Sequence, residues 1–183
     1  MVGTEPSLVE KIIAVHAALK RVGVGHAFGG ALALAYYTHE PRATAAIDVN
    51  VELASGDARA ALVALPFGVT WADSDIASIE RHDQVRLWWG RTPIDLFFRA
   101  SSFHDEVAER TNLMPFADEE LPFLSANDLA VFKSLFDRPK DWLDIAAMAE
   151  SGALSPAAAS TLESLIGADG RVERLRQLVA ASG

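Results

Sequence analysis

Between His26 and Leu53 the chain reads HAFGGALALAYYTHEPRATAAIDVNVEL, and the order of residue types there leaves few ways to fold. His26 to Phe28 is extended in character and runs directly into Gly29-Gly30. Two glycines without Cβ atoms let a backbone come close to a ligand. The apolar stretch Ala31 to Tyr37 then predicts a helix whose unpaired N–H groups and positive dipole end lie at the glycines. After a polar turn, Ile47, Val49, Val51 and Leu53 alternate with Ala46, Asp48, Asn50 and Glu52, the period of a half-buried strand. A carboxylate across from an anion-binding helix start suits a metal-bound nucleoside triphosphate.

Gly29-Gly30, then Arg42-x-Thr44, then Ile47-Asp48-Val49 resembles the signature of the nucleotidyltransferase superfamily. In that family a glycine pair precedes a strand carrying two acids separated by one apolar residue. The Arg-x-Thr lead-in is similar to the branch holding minimal nucleotidyltransferases and the AbiEii-type toxins of toxin–antitoxin systems. One departure is serious: the first acid of the pair would fall at position 46, which holds Ala46. Downstream, Lys133-x4-Arg138-x-Lys140-Asp141-x-x-Asp144 is similar to a second motif of the same branch, in which basic residues hold nucleotide phosphates and acids orient them.

The resemblance implies an α/β (α+β) fold. A mixed-sheet nucleotidyltransferase core over residues 1–124, flanked by helices, would be followed by a C-terminal helical region, 125–183, in one compact unit. It implies Asp48 and Asp95 as ligands for Mg2+ (or Mn2+), with Lys133 in the catalytic group and Ala46 at a vacant acid position. Gly29, Gly30, Arg42, Thr44, Lys133, Lys140 and Asp141 would bind the NTP. Acids at i and i+2 of a strand share a face, roughly 7 Å apart along the backbone, and so converge on paired ions.

The implied function is transfer of a nucleotide to a hydroxyl of an RNA or tRNA end, or of a protein, by a toxin with a cognate antitoxin. Alanine at position 46 would leave it inactive. Two other readings are a naturally non-catalytic nucleotide-binding subunit and a small antibiotic-modifying nucleotidyltransferase.

Asp95 also stands out without the resemblance. It interrupts an apolar strand, Pro93 to Phe98, where an unpaired charge would cost several kcal/mol if buried. That strand and Val85 to Trp89 predict a hairpin around Gly90-Arg91-Thr92. Trp88 and Trp89 suggest either base stacking or plain packing.

Composition bounds the alternatives. Half of the 183 residues are hydrophobic, enough for one substantial core. A formal charge of −9 argues against broad electrostatic binding of nucleic acid, although arginines outnumber lysines twelve to four and Arg81, Arg86, Arg91 and Arg99 fall close together. No cysteine is present, so disulfides and thiolate metal sites are excluded. No apolar run approaches the roughly 20 residues of a membrane span, and the N-terminus lacks a secretory layout, which fits a cytoplasmic protein. Gly23-Val24-Gly25-x-x-Phe28 misses the third glycine of a dinucleotide fingerprint. There is no P-loop, no GxSxG elbow and no HxxxH pair among the five histidines.

Elsewhere the pattern predicts a first helix with an Ile12, Ile13, Val15, Ala18, Leu19 stripe ending at Gly23, and a helix from Gly56-Asp57 to Pro66. Residues 71–82 read as mixed helix and loop, 102–111 as helix, and 112–124 as irregular or short strand with an acidic turn at Asp118-Glu119-Glu120. Ser125-x-x-Asp128 caps a helix with Leu129, Val131, Phe132 and Leu135 on its apolar side. Helices then start near Pro139, Ser155-Pro156 and Asp169-Gly170, with Lys140 and Asp144 spaced as an i,i+4 ion pair.

Overall fold

A computed structural model describes residues 5–38 and 44–182. Two compact units emerge. One takes the described residues of Met1–Gly29 and Thr44–Phe123, the other those of Gly30–Ala43 and Leu124–Gly183.

The first unit is built on a mixed sheet. Its strands are β1 (His26–Phe28), β2 (Ile47–Ala54), β3 (Val69–Thr70), β4 (Gln84–Trp89), β5 (Thr92–Arg99), β6 (Asn112–Phe116) and β7 (Glu119–Phe123). They lie in the order β3-β4-β5-β2-β1-β7-β6. β2 runs parallel to β5 and β1 parallel to β7, while the other neighbours are antiparallel. Alternation sets the faces: Ile47, Val49, Val51, Ile94, Leu96 and Phe98 are buried, whereas Asp48, Asn50 and Asp95 between them are not.

Among its described residues this unit has four α-helices: α1 (Leu8–Arg21), α3 (Ala58–Ala64), α4 (Asp73–His82) and α5 (Ser102–Glu109). A Ser7–Glu10 capping box starts α1, and Gly23 at φ +70° follows its end. Of the α1 stripe, Ile12, Val15, Ala18 and Leu19 are buried and Ile13 only partly so, and Lys11 is buried with them at 2% exposure. Its ammonium donates to Glu5 Oε1 (2.6 Å), the Trp89 carbonyl (2.9 Å) and Thr92 Oγ1 (2.9 Å), which compensates the buried charge.

Three segments differ from the sequence expectation. Residues 73–82 form a complete helix, not a mixture; only Ile79 in it is buried, so the apolar period is faint, and Asp75 closes the N-terminus by accepting from Ala72 N–H at 2.8 Å. Thr92 belongs to β5, so the β4–β5 turn is the two residues Gly90-Arg91, with Gly90 at φ +59°. Residues 112–123 form a regular hairpin whose turn is Ala117-Asp118; Glu119 and Glu120 are in the strand. Pro115 and Pro122 obscure it, yet β6 is an edge strand and β7 meets β1 only at the Phe28–Phe123 pair.

The second unit is helical among its described residues: α2 (Gly30–Tyr37), α6 (Ala126–Phe136), α7 (Pro139–Glu150), α8 (Ala157–Ile166) and α9 (Gly170–Ala181). α6 packs on α2, α7, α8 and α9. Ser125 caps α6 by accepting from Asp128 N–H (3.1 Å), and Pro139 occupies the first turn of α7. Tyr37 ties α2 to its unit, with its hydroxyl donating to the Leu124 carbonyl (2.8 Å) and its own carbonyl accepting from Ser151 Oγ (2.6 Å). No helix among the described residues is long and apolar enough to cross a membrane.

Candidate active site

On the sheet face opposite the buried Ile47, Val49, Ile94 and Leu96, Asp48 and Asp95 are direct register partners on the parallel strands β2 and β5. Neighbouring strands lie about 4.8 Å apart, so two carboxylates leave the same face side by side. The next strand extends the row: Arg86 of β4 is the register partner of Asp95. Its guanidinium takes both carboxylate oxygens, Nε donating to Oδ1 and Nη2 to Oδ2, each at 2.7 Å. Asp95 beside it, with Asp48 adding its charge, raises the Arg86 pKa above the ordinary arginine value.

Sequence reasoning placed Arg86 only in a loose cluster of arginines. The signal was present in the turn length, since a two-residue loop at Gly90-Arg91 pairs Trp89 with Thr92 and therefore Arg86 with Asp95. A three-residue turn shifts that register by one and sets Arg86 against Leu96.

Ala46 immediately precedes β2, two residues before Asp48, and is half-buried. The Thr44 hydroxyl is turned to its own chain, accepting from Ala46 N–H (3.2 Å) and donating to the Ala46 carbonyl (3.2 Å). Gly29 is buried, and its N–H donates to the Asp48 carbonyl (2.9 Å), continuing the sheet ladder. That amide is therefore not one offered to a phosphate. Gly30 opens α2 at φ +54°, a backbone conformation that favours glycine. Arg42 lies outside the described residues.

Within the helical unit, Lys133 is buried at 7% exposure. Its ammonium donates to Asp144 Oδ2 (2.7 Å) and lies 3.5 Å from Asp141 Oδ1. Asp141 also receives the Arg138 guanidinium at 2.6 and 3.1 Å. The two cations hold the Asp141 pKa below the usual carboxylate value against the opposing effect of burial. The i,i+4 pair expected of Lys140 and Asp144 is not what forms: Asp144 is buried against Lys133, and Lys140 is exposed.

The tryptophan pair divides. Trp89 packs against Gly68, where an added Cβ would fall 1.9 Å from its Nε1, and under the Lys11 ammonium at 5.8 Å. Trp88 is 47% exposed and alternates with Arg86 on the same strand face.

A two-ion centre does not fit these residues as they stand. One acid position holds alanine, both oxygens of Asp95 are committed to a guanidinium, and no cluster of three metal-ligating side chains occurs among the described residues.

No protein-family model matches the chain, and no curated protein matches it in sequence. Among solved structures it is similar to the antibiotic-resistance factor ANT(2'')-Ia, with a TM-score of 0.50 and 16% identity over 97% of this chain and 94% of that one. It is also similar to a protein assigned as a nucleotidyltransferase from H. pylori (TM-score 0.49, 14% identity, 95% and 92% covered). An antigenic nucleotidyltransferase-like protein from Paracoccidioides brasiliensis gives a TM-score of 0.46, 13% identity and 92% coverage of each chain. With a mixed seven-stranded sheet flanked by helices and the likeness to ANT(2'')-Ia along nearly its whole length, the chain has the nucleotidyltransferase fold.

Proposed function

We propose that the chain is a nucleotidyltransferase one acid short of a working centre. The reaction is attack by an acceptor hydroxyl on the α-phosphorus of an NTP, with pyrophosphate leaving and the hydroxyl proton passing to solvent. The observation that carries the reading is the in-register pair Asp48 and Asp95 on one partly buried sheet face, with alanine two residues ahead of Asp48. As it stands the chain holds a nucleotide without transferring it. Restoring an acid at position 46 adds the missing carboxylate to that face.

The acceptor in this reading is an RNA end or a protein hydroxyl, and the biological role is that of a toxin restrained by an antitoxin. The support for that finer part is the resemblance of Arg42-x-Thr44 and of the Lys133 to Asp144 segment to the toxin branch.

The test is Ala46→Asp, assayed with radiolabelled NTP, magnesium, and separate pools of tRNA, protein and antibiotic acceptors. Transfer at least ~100-fold above the unsubstituted chain is expected, a barrier change of roughly 3 kcal/mol. Thermal shift with each NTP is read in parallel on both chains, since a ligand at 100 times its Kd adds about 2.7 kcal/mol of stability. An NTP shift without transfer makes the chain a non-catalytic nucleotide-binding protein. Neither a shift nor transfer overturns the nucleotide reading.

A further inference from the structure

Packing does not account for two side chains on one face of β4. Trp88 is 47% exposed, an unusual position for so large an apolar ring. Arg86 stands two residues before it on the same strand face, about 7 Å away along the backbone. Asp95 holds the Arg86 guanidinium through Nε and Nη2, each at 2.7 Å. That grip takes two of the five N–H groups of the fork. The end-on edge, Nη1 beside the second N–H of Nη2, has no partner among the described residues, and the side chain is 58% exposed. We propose that this edge and the Trp88 ring together bind a guanine base, so that the face selects guanine nucleotides.

Charge favours a base over a phosphate at this edge. The Asp95 carboxylate offsets the guanidinium, and Asp48, in register beside Asp95, adds a second negative group. A phosphate drawn to the row meets net repulsion, whereas a neutral heterocycle takes the donors without it. Shape then chooses the base. Two parallel N–H groups fit two adjacent acceptors, which guanine presents as O6 and N7. Adenine puts an amino donor where the second acceptor is needed, and pyrimidines have no N7. Asp95 orients the fork, since its side chain is 15% exposed and its strand is paired on both sides. Trp88 offers a flat surface on which any base stacks, so it sets strength while Arg86 sets choice. The inference rests on reading this face as one that holds a nucleotide, and it names which nucleotide.

The experiment is isothermal titration calorimetry of the full chain with GTP, ITP, 7-deaza-GTP and ATP, repeated on Arg86→Lys and Trp88→Ala after circular dichroism verifies folding. ITP keeps O6 and N7 and is expected to bind as GTP does. ATP and 7-deaza-GTP, each lacking one of the two acceptors, are expected to bind about tenfold more weakly, a factor that corresponds to about 1.4 kcal/mol. Arg86→Lys is expected to erase the preference for GTP, because an ammonium keeps the charge without the planar fork. Trp88→Ala is expected to weaken GTP and ATP alike, by about tenfold. Equal binding of GTP and ATP, 7-deaza-GTP bound as tightly as GTP, a preference that survives in Arg86→Lys, or unchanged affinities in Trp88→Ala each overturn the proposal and leave the nucleotide reading standing. The ligand series on the unsubstituted chain decides the matter even where a variant does not fold. Binding of none of the four overturns both readings, so the two failures are told apart.

Discussion

His16 of α1 and His26 of β1 meet ring to ring in the core of the sheet unit, His16 Nδ1 lying 3.0 Å from His26 Nε2. The Val24 carbonyl, 3.0 Å from His26 Nδ1, accepts a proton held there, which leaves His26 Nε2 as the acceptor for the Nδ1–H of His16. His16 Nε2 is then a bare, buried lone pair with no partner among the described residues. Both rings are neutral in this arrangement. Protonating either would put a charge where burial opposes it.

A pH dependence of stability follows. Burial, chiefly, pushes the pKa values of His16 and His26 below the ordinary histidine value, with Lys20 adding to the effect at His16 and, at His26, His16 adding to it against the opposing pull of the Val24 carbonyl. The unfolded chain therefore takes up protons first as pH falls below about 6.5, and stability is lost from there downward until the folded rings titrate. Urea unfolding at pH 8, 7, 6 and 5 should show full stability at the top of that range and a decline below it. His26→Phe should flatten the decline but not abolish it, since burial lowers the pKa of His104 as well. An identical pH slope in His26→Phe would show that the pair is not its source.

Breaking the Lys133–Asp144 pair should be costly. Both side chains are under a tenth exposed, so Lys133→Ala leaves Asp144 and Asp141 facing each other without their shared cation. A loss of about 3–5 kcal/mol in chemical denaturation is expected. The double replacement Lys133→Met/Asp144→Leu should recover part of it, because two apolar groups remove the buried charges together. If Lys133→Ala unfolds at the same denaturant concentration as the parent, the pair carries no such load.

The two adjacent tryptophans should separate cleanly. Trp89→Ala removes a ring packed on Gly68 and beneath Lys11, and is expected to cost about 2 kcal/mol. Trp88→Ala, at a half-exposed position, should stay within about 0.5–1 kcal/mol. Equal losses at both positions would contradict the assignment of Trp89 alone to packing.

The β1–α2–β2 order was legible because its period changes twice, from extended to helical and back, with Gly29-Gly30 between. Asp48 and Asp95 were legible for the same reason: each sits among buried aliphatic residues, and alternation turns both outward. What stayed hidden depended on partners distant in sequence. Arg86 meets Asp95 only if Thr92 is counted in the strand, a one-residue matter that periodicity does not decide. On α6 the apolar stripe suggested Phe132 and Leu135 inward, yet Ala130, Lys133 and Ser134 are buried and those two are only partly so. Lys133 can be buried only because α7 delivers Asp141 and Asp144 to it, and nothing local to α6 announces that.

The helix α2 is made early and housed late. Its sequence, GALALAYY, is almost wholly apolar, and the helices it packs against, α6 and α7, begin only at Ala126. At ribosomal speeds of about 5–20 residues per second, the nascent chain carries that stretch without its shelter for on the order of ten seconds. During that interval it is a natural target for a holdase and a point of vulnerability to aggregation. Shortening the chain at its C-terminal end would extend the interval indefinitely, so such a truncation should lower soluble yield even though the sheet and its acidic face are left intact.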